Sequence, residues 1–172
     1  MKALTYCIAA IMLWLPAHLA STQTPGAFPG TGEFKGQRGP VHITSQRLEA
    51  EYDKKLITFI GNVEARQKEF TLYADRLVLF INDEGKDIEK IVAQGKVRMV
   101  QGNRIATCRE ATYYHREGAV VMLGDPVVKE GENWVKGKRI TYYIDEQKSV
   151  AEGDTTGGER VTVTIIPGKV KK

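Results

Sequence analysis

Four segments of the chain repeat one pattern: a small residue, an aliphatic or small anchor three positions later, and then a glycine. They are Ser45-Gln46-Arg47-Leu48 with Gly61, Ala74-Asp75-Arg76-Leu77 with Gly95, Cys108-Arg109-Glu110-Ala111 with Gly124, and Gly137-Lys138-Arg139-Ile140 with Gly153. The anchors are 29, 34 and 29 residues apart, and the long interval holds extra polar residues at 82–87, where a hairpin tip is expected. A period of about 30 residues describes a supersecondary unit that cannot bury its apolar face alone, so the units must stack into an array. Function on such an array lies along a repeated surface, not in one catalytic pocket.

Period-two alternation dominates after residue 40, which predicts an all-β antiparallel array of about four two-strand repeats. Polar turns at Asp53-Lys54, 82–86, Arg116-Glu117-Gly118 and Asp145-Glu146-Gln147 separate about eight short strands, with a final strand at Val161 to Ile166. Comparison of the copies sets the facing. Leu48, Ala50 and Tyr52; Leu77, Leu79 and Ile81; Ala111, Tyr113 and His115; and Ile140, Tyr142 and Ile144 point inward, while Arg47, Arg76, Glu110 and Arg139 point out. In the return strands the inward set is Ile57, Phe59, Val63 and Ala65, then Ile91, Ala93, Val97 and Met99, then Val120, Met122 and Val128. Gly61, Gly95 and Gly124 fall in the same phase and are expected on the inner face, where they let the sheet fold over at one level. Two arrangements fit this long apolar face: a closed sandwich core, which the residues alone favour, or an open trough.

The ends of the chain read differently. Met1-Lys2, an apolar run from Ala3 to Leu15 too short to span a bilayer comfortably, and the small residues up to Ala20 predict a cleaved signal peptide over 1–20. Residues 21–40 form a Gly/Pro-rich leader, 41–166 the folded domain, and 167–172 a basic tail. Without the signal, 24 basic and 21 acidic side chains give a net charge of +3, which is no footprint for nucleic acid. Cys108 is then the one cysteine, so no internal disulfide forms, and its place in the small-residue slot predicts a spacer. The three histidines lack metal-site spacing, and no nucleophile motif, phosphate loop or carboxylate pair is present, so neither an enzyme nor a cofactor is expected.

The stretch from Pro40-Val41-His42-Ile43 through Phe59-Ile60-Gly61-Asn62-Val63 to Leu72-Tyr73-Ala74-Asp75-Arg76-Leu77 resembles the OstA/LptA family of periplasmic lipopolysaccharide transport proteins. The "GNV" and "ADRL" elements carry the resemblance, which covers about residues 40 to 155. The third unit departs with Cys108-Arg109-Glu110-Ala111, and Pro126 follows its glycine. The resemblance implies a folded-over antiparallel β-jellyroll whose trough shelters the acyl chains of lipid A in the periplasm of a Gram-negative bacterium. The trough would be lined by Ile57, Phe59, Val63, Leu77, Leu79, Val97, Met99, Tyr113, Met122 and Tyr142, with Arg47, Arg76, Lys96 and Arg139 as a head-group rim. It further implies head-to-tail self-association through the edges at Ile43, Leu48, Val161, Val163 and Ile165, between an inner-membrane anchored LptC-like protein and an outer-membrane LptD-like translocon. A polymerising scaffold without lipid cargo and the membrane-anchored partner of the same fold are the alternatives.

Overall fold

The computed structural model describes residues 40–85, 87–154 and 158–167. The signal peptide, almost all of the leader and the tail beyond Pro167 lie outside the described residues. Twelve strands follow in order: β1 His42–Thr44, β2 Arg47–Glu51, β3 Leu56–Gln67, β4 Phe70–Ile81, β5 Ile88–Gln101, β6 Arg104–Tyr114, β7 Ala119–Leu123, β8 Val127–Glu130, β9 Asn133–Lys136, β10 Arg139–Tyr143, β11 Lys148–Glu152 and β12 Thr162–Thr164. All pair antiparallel in one sheet.

These strands are eight hairpin arms crossing one fold line. Four arms, β3 to β6, run unbroken for 11 to 14 residues. The other four are interrupted at the fold, giving β1/β2, β7/β8, β9/β10 and β11/β12. The expected separate ninth strand is therefore the second half of the eighth arm: β12 pairs with β9 while β11 pairs with β10. The sheet doubles into two leaves. The first holds β2, the β3 segment 56–60, the β4 segment 76–81, the β5 segment 88–94, the β6 segment 110–114, β7, β10 and β11. The second holds β1, the remaining halves of β3 to β6, β8, β9 and β12.

The repeated glycine makes the fold. Gly61-Asn62, Gly95-Lys96 and Gly124-Asp125 are consecutive left-handed pairs, with φ of 81° and 47°, 77° and 47°, and 77° and 57°. In β3 and β5 the ladder slips there, between Ile60 and Val63 and between Gln94 and Val97. An extra left-handed residue turns the strand, and glycine takes that conformation without the Cβ clash that other residues suffer. A Cβ on Gly95 would stand 2.8 Å from that of Asp75, and one on Gly124 would stand 2.5 Å from that of Arg109. Gln46 likewise crowds Gly61. Gln46, Asp75 and Arg109 are exposed, so these glycines face the outside of the corner and not the inner surface expected from their phase. The inward phase is the same on both sides of each pair, at Phe59 and Val63 and at Ala93 and Val97, so only the left-handed residues between them depart from it. Gly153 is required for another reason: its φ is not left-handed, but a Cβ there would lie 2.5 Å from the Glu159 carbonyl oxygen.

Inside the corner, Val63 faces Ala74 and Val97 faces Cys108, so branched and small side chains alternate along the angle. All four are buried, with the two valines only 1% exposed. This is the packing reason for the small-residue slot, because two valines opposite each other would overfill so acute an angle.

Gly95→Ala is expected to destabilise the protein by about 1–3 kcal/mol, since it adds left-handed strain to a steric clash. Gly102→Ala, at φ 56° with nothing within 4 Å of its Cβ, should cost less. Urea midpoints of the two variants check the order, and equal midpoints would contradict it.

Candidate functional site

The inner faces of the two leaves oppose each other. On the first leaf one inward row runs Leu48, Phe59, Leu77, Ala93, Ala111, Met122, Ile140 and Ala151. Beyond it, farther from the corner, run Ile57, Leu79, Ile91, Tyr113, Val120, Tyr142 and Ser149. The second leaf answers with Ile43, Ala65, Leu72, Met99, Ala106, Val128, Val135 and Val163. Near the corner the leaves close on one another as an ordinary core. Farther out they part.

Two cavities occupy the gap. The larger, about 490 Å³, lies between Gln67, Phe70, Leu72 and Met99 of one leaf and Ile91, Ala93, Ala111, Tyr113, His115 and Val120 of the other. The smaller, about 80 Å³, continues toward the C-terminal end between Met99, Arg104, Ala106 and Val128 and Met122, Ile140, Tyr142 and Ser149. Phe70, Met99 and Val120 line both, so the two are stretches of one trough that opens at the hairpin tips. Both arrangements admitted by the sequence are thus present, the closed core at the corner and the open trough beyond.

Met99, Tyr113, Met122 and Tyr142 line the cavities directly. Val63, Leu77 and Val97 lie in the closed angle as its floor, and Leu79 is buried in the core with Ile57 and Phe59 packed against it. Phe70, Leu72, Ala106 and Arg104 are wall residues that the sequence reading left out. Alternation through Phe70-Thr71-Leu72, and the phase that Arg104 shares with Ala106 and Cys108, carried the signal.

The four expected rim cations are not at the opening. Arg47, Arg76 and Arg139 stand on the outer face next to the corner, in one cross-strand row with Ile60, Gln94, Glu110, Leu123 and Glu152. Lys96 sits in the corner itself. Alternation forces this: residues one position before an inward anchor face out, and the corner is the closed side. Polar groups that line the cavities are Gln67, Gln101 and Arg104 on one leaf, with Glu130 opposite Arg104 in the ladder, and Tyr113, His115 and Asp145 on the other. Tyr113 Oη lies 3.3 Å from His115 Nδ1. Burial, assisted by the negative charge of Asp145, pushes the Tyr113 phenol up and keeps it neutral.

Facing alone does not decide exposure. Thr58 points outward between Glu49 and Val78, yet it is only 3% exposed. The rows beside it carry long side chains, including Phe80 with the Lys90 ammonium 4.2 Å from its ring centroid. The ends of the array contrast with this. The exposed large apolar side chains among the described residues are Val41, Leu48, Tyr52, Tyr114, Val161, Val163, Ile165 and Ile166, and all but Tyr114 belong to the first or last arm. At one end Ile43 and Leu48 face Ala65 and Phe59 on β1 and β2, which among the described residues pair only with β3. At the other, Val163 of β12 faces Val135, with Val161 and Ile165 flanking that strand. The second free strand there is β11, which the sequence reading did not single out.

Residues 42–148 match the family described as "LptA/(LptD N-terminal domain) LPS transport protein". The lipopolysaccharide export system protein LptA of Escherichia coli K12 is 29% identical over 170 residues, covering 94% of this chain and 88% of that protein. The LPS-assembly protein LptD of Nitrosomonas europaea is 24% identical over 153 residues, 83% of this chain and 20% of that protein. In fold, the chain is similar to LptH of Pseudomonas aeruginosa, an LptA-homologous periplasmic component of the lipopolysaccharide transport device. The TM-score is 0.67 at 19% identity, covering 76% of this chain and 98% of LptH.

Burial pushes the Cys108 thiol up to about 11 from its ordinary 9.0, consistent with a packing role. Between those two values the unfolded chain gives up a proton that the folded chain keeps. Stability contributed by the buried thiol is therefore complete below pH 9.0 and is lost as pH rises toward about 11. The stability of the wild type relative to Cys108→Ala should fall across that window in urea titrations. A difference that stays constant from pH 8 to about 11 would contradict the burial assigned to the thiol.

Proposed function

The chain belongs to the LptA/(LptD N-terminal domain) family of LPS transport proteins, and from that premise we propose that it is a periplasmic carrier for lipopolysaccharide. Acyl chains of lipid A lie in the trough, and the polar saccharide stays at the opening. The single observation that carries this reading is the continuous apolar wall from Phe70 and Met99 to Met122 and Tyr142, held open at the hairpin tips. Each methylene moved from water into it contributes about 0.8 kcal/mol. Several chains sheltered together make aqueous transit of the lipid feasible. The protein's part is binding and positioning, with no bond made or broken.

We further propose that molecules join end to end, the β1/β2 end of one to the β11/β12 end of the next, so that sheet and trough continue across the joint. Support comes from the exposed apolar side chains gathered at these two ends and from the general tendency of unpaired strand edges to accept another strand. The same edges suit an LptC-like donor at the inner membrane and an LptD-like acceptor at the outer membrane.

A photoreactive residue at Met99, which faces Leu72 and Ala106 inside the trough, is expected to label lipopolysaccharide in cells. Its neighbour Arg98 faces Tyr73 and Thr107 on the outer side and should stay silent. Equal labelling from both positions would refute the facing, and labelling from neither would favour a scaffold without lipid cargo.

Leu48→Asp tests the joint. Leu48 is 57% exposed, so the monomer should lose less than about 0.5 kcal/mol. A charge at the junction should nevertheless weaken association measured by light scattering. Unchanged association would count against β2 as an edge in the assembly.

A further inference from the structure

We propose that Arg104 and Glu130 form an anion-selecting latch at the opening of the trough, in which Glu130 holds the Arg104 guanidinium until the anionic head group of an amphiphile in the trough displaces it. The inference rests on the carrier reading and adds which charge on the ligand is recognised and by what.

Arg104 opens β6 directly after the β5–β6 turn and faces Gln101 on one side and Glu130 on the other. It shares its phase with Ala106 and Cys108, so its stem runs along the inner surface and helps line the apolar cavity beside Phe70, Met99 and Val128. The side chains of Arg104 and Glu130 are 27% and 29% exposed, the one ion pair among the described residues in which both are less than a third exposed. Arg104 Nε lies 3.2 Å from Glu130 Oε1, yet this buried N–H is not aligned to donate a hydrogen bond. The pair is thus held by charge and leaves a donor of the guanidinium fork unused at the cavity wall.

A half-buried pair of this kind contributes little net stability, because desolvation offsets most of the attraction. Replacing a carboxylate in poor alignment with a phosphate or carboxylate that takes the fork in bidentate fashion improves the hydrogen bonds at no further desolvation of the arginine. Meanwhile Glu130 shields the charge when the trough is empty and raises the threshold for weak anions. A neutral amphiphile gains the apolar wall and nothing from Arg104.

Titration of the full chain with dodecyl phosphate and with dodecyl maltoside, each below its micelle concentration, tests this through the ratio of the two affinities. Arg104→Gln should lower the phosphate-to-maltoside ratio about tenfold, the loss of one charge-assisted contact. Glu130→Gln frees the arginine and should raise the ratio about threefold or more. Arg104→Lys keeps the charge without the planar fork and should fall between wild type and Arg104→Gln. If Arg104→Gln does not fold, the other two variants carry the test. Opposite signs for Arg104→Gln and Glu130→Gln are the signature, because a merely structural pair would shift both amphiphiles alike in both variants. An unchanged ratio with both amphiphiles bound would overturn the latch and leave the trough standing. Binding of neither by the wild type would overturn the trough reading and the latch together. Inorganic phosphate should displace dodecyl phosphate no better than sodium chloride at equal ionic strength. Displacement by stoichiometric inorganic phosphate would mark a free-anion site and overturn the proposal.

Discussion

The acute corner where Val63 and Val97 pack against Ala74 and Cys108 governs the rest of the molecule. A flat antiparallel sheet with one apolar face must find a second layer to cover it. This chain supplies that layer by bending every arm at one level, so each arm contributes to both walls. The left-handed Gly-X pairs make the bend sterically possible, and the alternation of valine with small residues fills the angle without a void. Because the corner is tight, the walls diverge away from it. The trough is the geometric consequence of closing one side only.

Closing one side also leaves both ends open. No arm turns back to cap the array among the described residues, and the apolar side chains exposed there, Leu48 and Val163 among them, would weigh against solubility in an isolated monomer. The proposed end-to-end assembly would make use of both defects, since a joint that pairs the free strands would also cover the exposed residues. The corner, the trough and the ends are thus parts of one design in which the repeat unit is never satisfied alone.

Much of this was legible in the residues. The repeat pointed to about eight strands and a common fold level, although the stretch at Val161 to Ile166 reads as a ninth strand and is half of the eighth arm, and alternation placed Met99, Tyr113, Met122 and Tyr142 on the inner face, where they line the trough. Two kinds of information were hidden. Counting by twos assumes extended backbone and fails locally at the left-handed Gly-X pairs, so Gly61, Gly95 and Gly124 read as inward although they face the outside of the corner. Facing, moreover, is not location: Arg47, Arg76 and Arg139 were correctly read as outward, but only the pairing shows that their row borders the closed side. Arg104 escaped notice for a related reason, since a cation beside a turn reads as a solvated tip until the register brings Glu130 opposite it.

Methyl labelling of the methionines offers the most direct test of the central claim, that acyl chains enter the trough. Met99 and Met122 line it, whereas Met1 and Met12, the other two methionines, belong to the N-terminal stretch expected to be cleaved. Methyl resonances of the mature protein should shift for Met99 and Met122 when lipopolysaccharide is added and remain in place with the fully deacylated saccharide. Equal shifts with both, or none with the acylated lipid while binding is demonstrated, would contradict the account.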